Sequence, residues 1–197
     1  MPREIEFFFD IGSSYSYLAA TQMASVAQRT GLPVRWRPFL LGAVFKSTGN
    51  EMPARIPAKA KWMLGDMERW CVHYQIPFKF PSRFPLLTLR TQRALAAAER
   101  TGAAVEPFAL ALFRAYWAEN QDVTADAVIS AAATSAGLDG AAMVAAIDAP
   151  ETKDHLRATT DEAVKRGAFG APSMFVGDAL FWGNDRLDLL EEHVARG

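Results

Sequence analysis

The chain has one cysteine among its 197 residues, Cys71. It therefore forms no intramolecular disulfide and lacks the dithiol of a thiol–disulfide oxidoreductase, one thiol to attack and one to resolve. Charge of one sign is missing as well. Lys and Arg number 21 against 22 Asp and Glu, a net charge of −1 with no block of like charges, which offers nothing to nucleic acid or to an anionic membrane surface. No apolar run approaches the roughly 18 residues of a membrane-spanning helix, and the opening Met1-Pro2-Arg3-Glu4-Ile5-Glu6 has no apolar core of a leader peptide. A soluble cytoplasmic protein is the expectation, with neither membrane nor nucleic acid as partner. His73, His155 and His193 are scattered without zinc-ligand spacing and read as surface residues, so no metal is expected. There is no internal repeat, and no low-complexity tract beyond Ala-rich helical stretches.

Half of the residues are apolar, enough for the core of one domain, or of one domain carrying a large insertion. Ile5 to Phe9 is a β-rich run ending at Asp10, and Gly12 permits a tight passage into a helix beginning at Ser14. Ala19, Met23, Val26 and Ala27 fall at i, i+4, i+7 and i+8, one buried helical face running to Gly31. Pro33 opens a second strand in which Val34 and Trp36 alternate with Arg35 and Arg37, and Pro38 marks an edge or a strand end. The unit is βαβ, for which right-handed parallel pairing is expected. From Gly42 to Pro85 the pattern lapses into a Pro- and Gly-punctuated region with one helix, Lys59 to Tyr74. Leu86 to Arg166 reads as nearly all helical, and this many helices on a small sheet is expected to form its own layer. Strand signals return at Ser173–Val176 and Ala179–Trp182 around Gly177-Asp178, a hairpin turn. A last helix follows through Leu187, Leu190 and Val194, with Asn184 or Asp185 available as its N-cap. The order βαβ, helical insert, ββα predicts an α/β thioredoxin-like fold with a large all-helical insertion. Residues 1–41 and 167–197 form the thioredoxin-like part, and 42–166 the connecting region and insertion.

Two short segments carry the chemical signal. Ser13 and Ser16 stand at SxxS spacing where a helix begins, and Gly170-Ala171-Pro172 precedes a strand. Together they read as a thioredoxin-type site whose cysteines are serines. Each residue also has a plain alternative. Ser13 is either an N-cap or a hydrogen-bond donor at the helix start, and Pro172 is either an ordinary trans proline or a cis one facing that helix. Asn184 and Asp185 either cap the last helix or receive a ligand's carboxylate and ammonium. Lys46, Asn50 and Lys59 in the irregular region either lie in solvent or receive a carboxylate. Trp62, Trp70, Phe78, Phe80, Phe84 and Trp117 either fill the core or wall an apolar pocket for a planar ligand. Gly12-Ser13-Ser14-Tyr15 does not match the GxSxG of a serine hydrolase, and no histidine stands at a local spacing to activate Ser13.

The run Phe9-Asp10-Ile11-Gly12-Ser13-Ser14-Tyr15-Ser16-Tyr17-Leu18 resembles the opening of the 2-hydroxychromene-2-carboxylate isomerases and kappa-class glutathione transferases, relatives of DsbA. Three further segments agree, in family order and across almost the whole chain. They are Arg37-Pro38-Phe39 with Lys46-Ser47-Thr48-Gly49-Asn50, Gly167-Ala168-Phe169-Gly170-Ala171-Pro172, and Phe181-Trp182-Gly183-Asn184-Asp185-Arg186. Ser14 departs from the proline that usually follows the family's active serine. The resemblance implies a homodimeric, glutathione-dependent enzyme acting on a small aromatic substrate. Ser13 would hydrogen-bond the glutathione sulfur, and Ala171, on a cis Pro172 peptide, would pair with its cysteinyl backbone. Asn184 and Asp185 would hold the γ-glutamyl end. Asn50 and Lys59 would receive the glycine carboxylate, and Lys46 or Asn50 an anionic substrate. The bacterial isomerases are the nearer likeness, a kappa transferase the alternative, and a DsbA-like oxidoreductase or a non-catalytic binding module less so.

Overall fold

In the computed structural model residues 4–197 are described, and the Met1–Arg3 opening, on which part of the leader reading rests, lies outside them. The first strand, β1 (Ile5–Phe9), is followed by α1 (Ser14–Ala20), α2 (Met23–Thr30) and β2 (Val34–Pro38). Parallel pairing of β1 with β2 runs from Ile5 opposite Val34 to Phe9 opposite Pro38. The hairpin of β3 (Ser173–Val176) and β4 (Ala179–Trp182) turns through Gly177, at φ 59°, and Asp178. It completes a four-stranded sheet in the order β2-β1-β3-β4, with β1 and β3 antiparallel. Pro38 thus lies on an edge strand, where its missing N–H breaks no ladder.

Period-two alternation along β1 sorts the two faces of the sheet. Ile5, Phe7 and Phe9 enter the larger core, whereas Phe8 packs with Phe39, Val44, Ala163, Ala168 and Phe175 on the other side. Glu6 shares the face of Phe8 and meets Arg37 and Arg166 at 2.7 and 2.6 Å. Arg37 is buried, pairs also with Glu162 at 2.6 Å and Glu99 at 2.9 Å, and lies 4.9 Å over the Phe8 ring. Burial opposes ionisation of Glu162, but the hydrogen bond and charge of Arg37, with those of Arg166, hold its carboxyl below the ordinary value. His155 reaches Glu99 at 3.0 Å and is half-buried rather than on the surface.

The insertion contributes α3 (Leu41–Thr48), α4 (Pro57–Tyr74), α5 (Leu89–Arg100), α6 (Val105–Trp117), α7 (Asp126–Ser135), α8 (Gly140–Ala145) and α9 (Pro150–Lys165). It does not form a layer apart from the sheet. Helices α5 and α9 pack on β2, and Phe113 of α6 lies 5.8 Å from the Phe9 ring. The irregular region holds two α-helices, not one, with a 3-10 turn at Pro53–Arg55 between them. α3 escapes a sequence reading because Leu40 supplies no capping side chain and only Val44 of its residues is buried. α4 begins two residues before Lys59, with Pro57 in its first turn. The first predicted helix is broken. Thr21 bonds its hydroxyl back to the Leu18 carbonyl at 2.7 Å, and the chain restarts at Met23 on the same apolar face.

A polar clamp joins the C-terminal end of β1 to the insertion. Gln92 of α5 is fully buried; its amide donates to the carbonyls of Phe9 and Phe39 at 2.8 and 2.9 Å, and its oxygen accepts the Ile11 N–H at 3.3 Å. Gln92→Met keeps the volume but leaves the Phe39 carbonyl and the Ile11 N–H without a partner in the core, each worth about 1–3 kcal/mol unsatisfied, whereas the Phe9 carbonyl keeps the Phe39 N–H at 3.1 Å. The expected loss is about 2–4 kcal/mol, read as a fall in the urea midpoint at constant slope.

Candidate functional site

Asp10 shapes the loop that presents Ser13. Its carboxylate accepts from the Gly12 N–H at 2.9 Å, the Leu41 N–H at 2.9 Å and the Thr88 hydroxyl at 2.6 Å, while its carbonyl accepts the Ser13 N–H at 2.9 Å. Burial raises the Asp10 carboxyl above the ordinary carboxylate value, and the bonds from Thr88, Leu41 and Gly12 offset part of that rise. Trp117 pins the same loop by donating its indole N–H to the Ile11 carbonyl at 2.8 Å.

Ser13 is the N-cap of α1, and its Oγ accepts the Ser16 N–H at 3.1 Å. It also donates to the Ala171 carbonyl at 3.1 Å, 158 residues away. The Ser13 hydroxyl thus acts as the cap, and its proton is directed at the Ala171 carbonyl. The Ala171–Pro172 peptide is cis. Since α1 spans 7 residues rather than running on to Gly31, the chemistry at Ser13 rests on its hydroxyl and not on a sustained helix dipole. Ser16 is fully buried, and its Oγ has no partner among the described residues.

Around this contact the other expected residues divide. Asn50 donates its side-chain N–H to the Phe169 carbonyl at 2.9 Å, bracing the segment that leads to Ala171. Gly183 donates its N–H to the Pro172 carbonyl at 3.2 Å, which ties the Asn184–Arg186 turn to the same peptide, and that turn packs on α1. Neither Asn184 nor Asp185 caps the last helix, α10 (Leu187–Arg196); the two form a 3-10 turn before it, and Arg186 holds the N-cap position. Asn184 is 2% exposed and its side-chain nitrogen has no partner among the described residues, whereas the Asp185 carboxylate is about half exposed and paired with Arg186 at 2.6 Å. Lys46 and Lys59 are exposed and make no ion pair among the described residues.

Beside Ser13 opens an apolar cavity of about 220 Å³ lined by Ser14, Met52, Ala54, Ala60, Met63, Leu64, Met67, Phe80, Phe84, Pro85 and Trp117. Of the six aromatic residues singled out from the sequence, Phe80, Phe84 and Trp117 line it. Trp62 is 60% exposed, and Trp70 and Phe78 lie outside the wall. The methionines take their place, and the i, i+4 pair Met63 and Met67 on α4 was the available signal. Cys71 is buried, and that burial pushes its thiol up to about 11. It stays protonated and unreactive at neutral pH.

The DSBA-like thioredoxin domain model matches residues 4–195. The chain belongs to the DsbA-like thioredoxin family. Within it, a 2-hydroxychromene-2-carboxylate isomerase of Sphingobium xenophagum is 34% identical over 196 residues, covering 98% of this chain and 99% of that one. Human glutathione S-transferase kappa 1 is 30% identical over 205 residues, covering 96% and 90%. A solved 2-hydroxychromene-2-carboxylate isomerase superposes with a TM-score of 0.84 at 28% identity, covering 98% of this chain and 94% of that one.

One close approach in this DsbA-like site depends on the absence of a side chain. A Cβ on Gly170 would stand 2.5 Å from the Trp182 Nε1, whose ring packs against Phe169 at 4.8 Å between centroids. Gly170→Ala displaces Trp182 or the Phe169–Ala171 segment, at a cost of about 1–3 kcal/mol. Adding Trp182→Leu, which removes the obstacle, recovers part of that loss; a double-mutant cycle by thermal unfolding measures the coupling.

Proposed function

We propose that this chain is a glutathione-dependent isomerase that interconverts 2-hydroxychromene-2-carboxylate and trans-o-hydroxybenzylidenepyruvate in the degradation of naphthalene-type aromatic compounds. The observation that carries the reading is the 3.1 Å bond from the Ser13 hydroxyl to the Ala171 carbonyl, with the apolar cavity opening at the next residue, Ser14. The Sphingobium xenophagum isomerase, matched end to end at 34% identity, favours isomerisation. The human kappa relative at 30% favours the second reading, a glutathione transferase.

The residues present fit glutathione. The Ala171 backbone N–H has no partner among the described residues, and its carbonyl is held only by a serine hydroxyl, so both are available to a cysteinyl backbone. The buried, unpartnered amide of Asn184 beside the exposed Asp185 carboxylate supplies a donor and an acceptor for the α-carboxylate and ammonium of the γ-glutamyl end. Asn50 and Lys59 take the glycine carboxylate, and Lys46 with Asn50 the substrate's. Glutathione, when bound, would supply a thiolate nucleophile for reversible addition to the conjugated substrate. Ser13 has one proton. To stabilise sulfur as an anion it turns that proton from the Ala171 carbonyl to the sulfur, and the released carbonyl accepts from the ligand backbone. Every residue lining the cavity except Ser14 falls in 42–166, so we take residues 1–41 and 167–197 as the thioredoxin-like part that holds the thiol, and the insertion as the part that holds the substrate. We place the enzyme in the cytoplasm, where glutathione is kept reduced, as a homodimer.

Turnover of 2-hydroxychromene-2-carboxylate is measured with and without glutathione while free thiol is counted. Isomerisation requires glutathione and leaves it unconsumed. Stoichiometric loss of thiol instead establishes the transferase, and turnover independent of glutathione, or none at all, removes both readings.

Ser13→Ala removes the hydroxyl and keeps the backbone. A free thiol titrates near about 8.5, and one hydrogen bond to an anion, roughly 1.5–3 kcal/mol, corresponds to about one to two pH units. The variant should bind glutathione while the bound thiolate's ultraviolet absorbance titrates about one to two units higher and turnover at neutral pH falls about ten- to a hundredfold. An unchanged titration leaves Ser13 as a cap alone.

Asp185→Ala acts on binding rather than on chemistry. Because Asp185 is half exposed and already paired with Arg186, its contact with an ammonium is screened and contested. Glutathione affinity by calorimetry should fall only about three- to fivefold, with saturated turnover within twofold of the parent, roughly the spread of independent sites.

A further inference from the structure

Ser14 is the one residue in the cavity wall whose side chain brings an uncommitted hydrogen-bonding group. Trp117 also lines the cavity, but its indole N–H is spent on the Ile11 carbonyl at 2.8 Å. The neighbouring Ser13 hydroxyl is engaged on both sides, by Ser16 and by Ala171. Ser14 is half-buried, and its hydroxyl makes no hydrogen bond among the described residues. The rest of the wall is thioether, aliphatic and aromatic.

We propose that Ser14 is a specificity-determining residue: its hydroxyl recognises a single oxygen substituent, a phenol hydroxyl or a ring-bound carbonyl, on the end of a planar aryl ligand that faces Ser13. The proposal rests on reading this cavity as the substrate pocket. Shape alone discriminates weakly here, because Met52, Met63 and Met67 are unbranched and repack around ligands of different outline. Polarity discriminates better. A ligand oxygen placed against this wall loses water, and Ser14 alone among the side chains offers a replacement bond, whether the oxygen donates or accepts. The half-exposed position keeps the effect moderate, since water can serve Ser14 when a ligand lacks the oxygen. A preference of about three- to tenfold follows from one neutral hydrogen bond.

Calorimetry on the full chain with trans-2-hydroxycinnamate and trans-cinnamate tests this directly, because the pair differs by one ring hydroxyl. The parent should bind the hydroxylated ligand about three- to tenfold more tightly. Ser14→Ala should bring the two affinities together by weakening 2-hydroxycinnamate alone, and Ser14→Thr, which restores a hydroxyl, should keep the preference. An equal preference in parent and Ser14→Ala, no preference in the parent, or no binding of either ligand overturns the proposal. Its fate separates from that of the isomerase reading. A chain that discriminates through Ser14 without turning over 2-hydroxychromene-2-carboxylate upholds this inference and removes that reading, whereas glutathione-dependent turnover with a KM untouched by Ser14→Ala does the reverse.

Discussion

Two buried polar side chains, the carboxylate of Asp10 and the carboxamide of Gln92, hold the end of β1 in the geometry that sets Ser13 against Ala171. A strand that ends inside a protein leaves N–H and C=O groups to satisfy, and here the next helix does not take them up. Asp10 gathers Gly12, Leu41 and Thr88; Gln92 gathers Phe9, Ile11 and Phe39. Each of the two therefore joins β1 to a part of the chain inserted after β2. The burial that raises the Asp10 carboxyl is the cost of this arrangement, and it is tolerated because losing the carboxylate would free three donors at once.

The site built on that clamp is unequal in stiffness. The half around Ser13 is backbone and short side chains: Ser13 capping α1, the cis Ala171–Pro172 peptide, Asn50 holding the Phe169 carbonyl, and Gly183 bonded to Pro172. Few rotamers are available there. The cavity half is long apolar side chains from α4 and from the segments around Met52 and Phe84. A rigid half suits the placing of a reacting atom, and a compliant half suits a ligand whose outline varies.

Much of the frame is legible in the sequence. The β-rich run Ile5–Phe9, the alternation of Val34 and Trp36 with Arg35 and Arg37, and the Gly177-Asp178 turn mark strands by composition, period and punctuation, and all four strands lie where those signals fall. Ser13, Ala171 and Pro172 are legible only through the resemblance, since a capping serine and a strand-leading proline look the same in any fold. The break after α1 is hidden because Ala19 and Met23 stay on one face across it. Asp10, Thr88 and Gln92 are hidden for another reason: polar residues read as surface until their partners are known, and those partners are backbone groups far along the chain. The cavity wall was sought in large aromatics, whereas flexible thioethers fill half of the role.

That wall has a chemical liability. Thioethers oxidise to sulfoxides, turning a greasy, adaptable surface into a strongly dipolar one. Met52 and Met63 are partly open and Met67 is nearly closed off, while Cys71, the residue usually blamed for oxidant damage, is buried and held as a neutral thiol. Peroxide reaching this protein would therefore spoil the fit of its ligand before it touched the thiol, and the injury would be of the kind that methionine sulfoxide reductases repair.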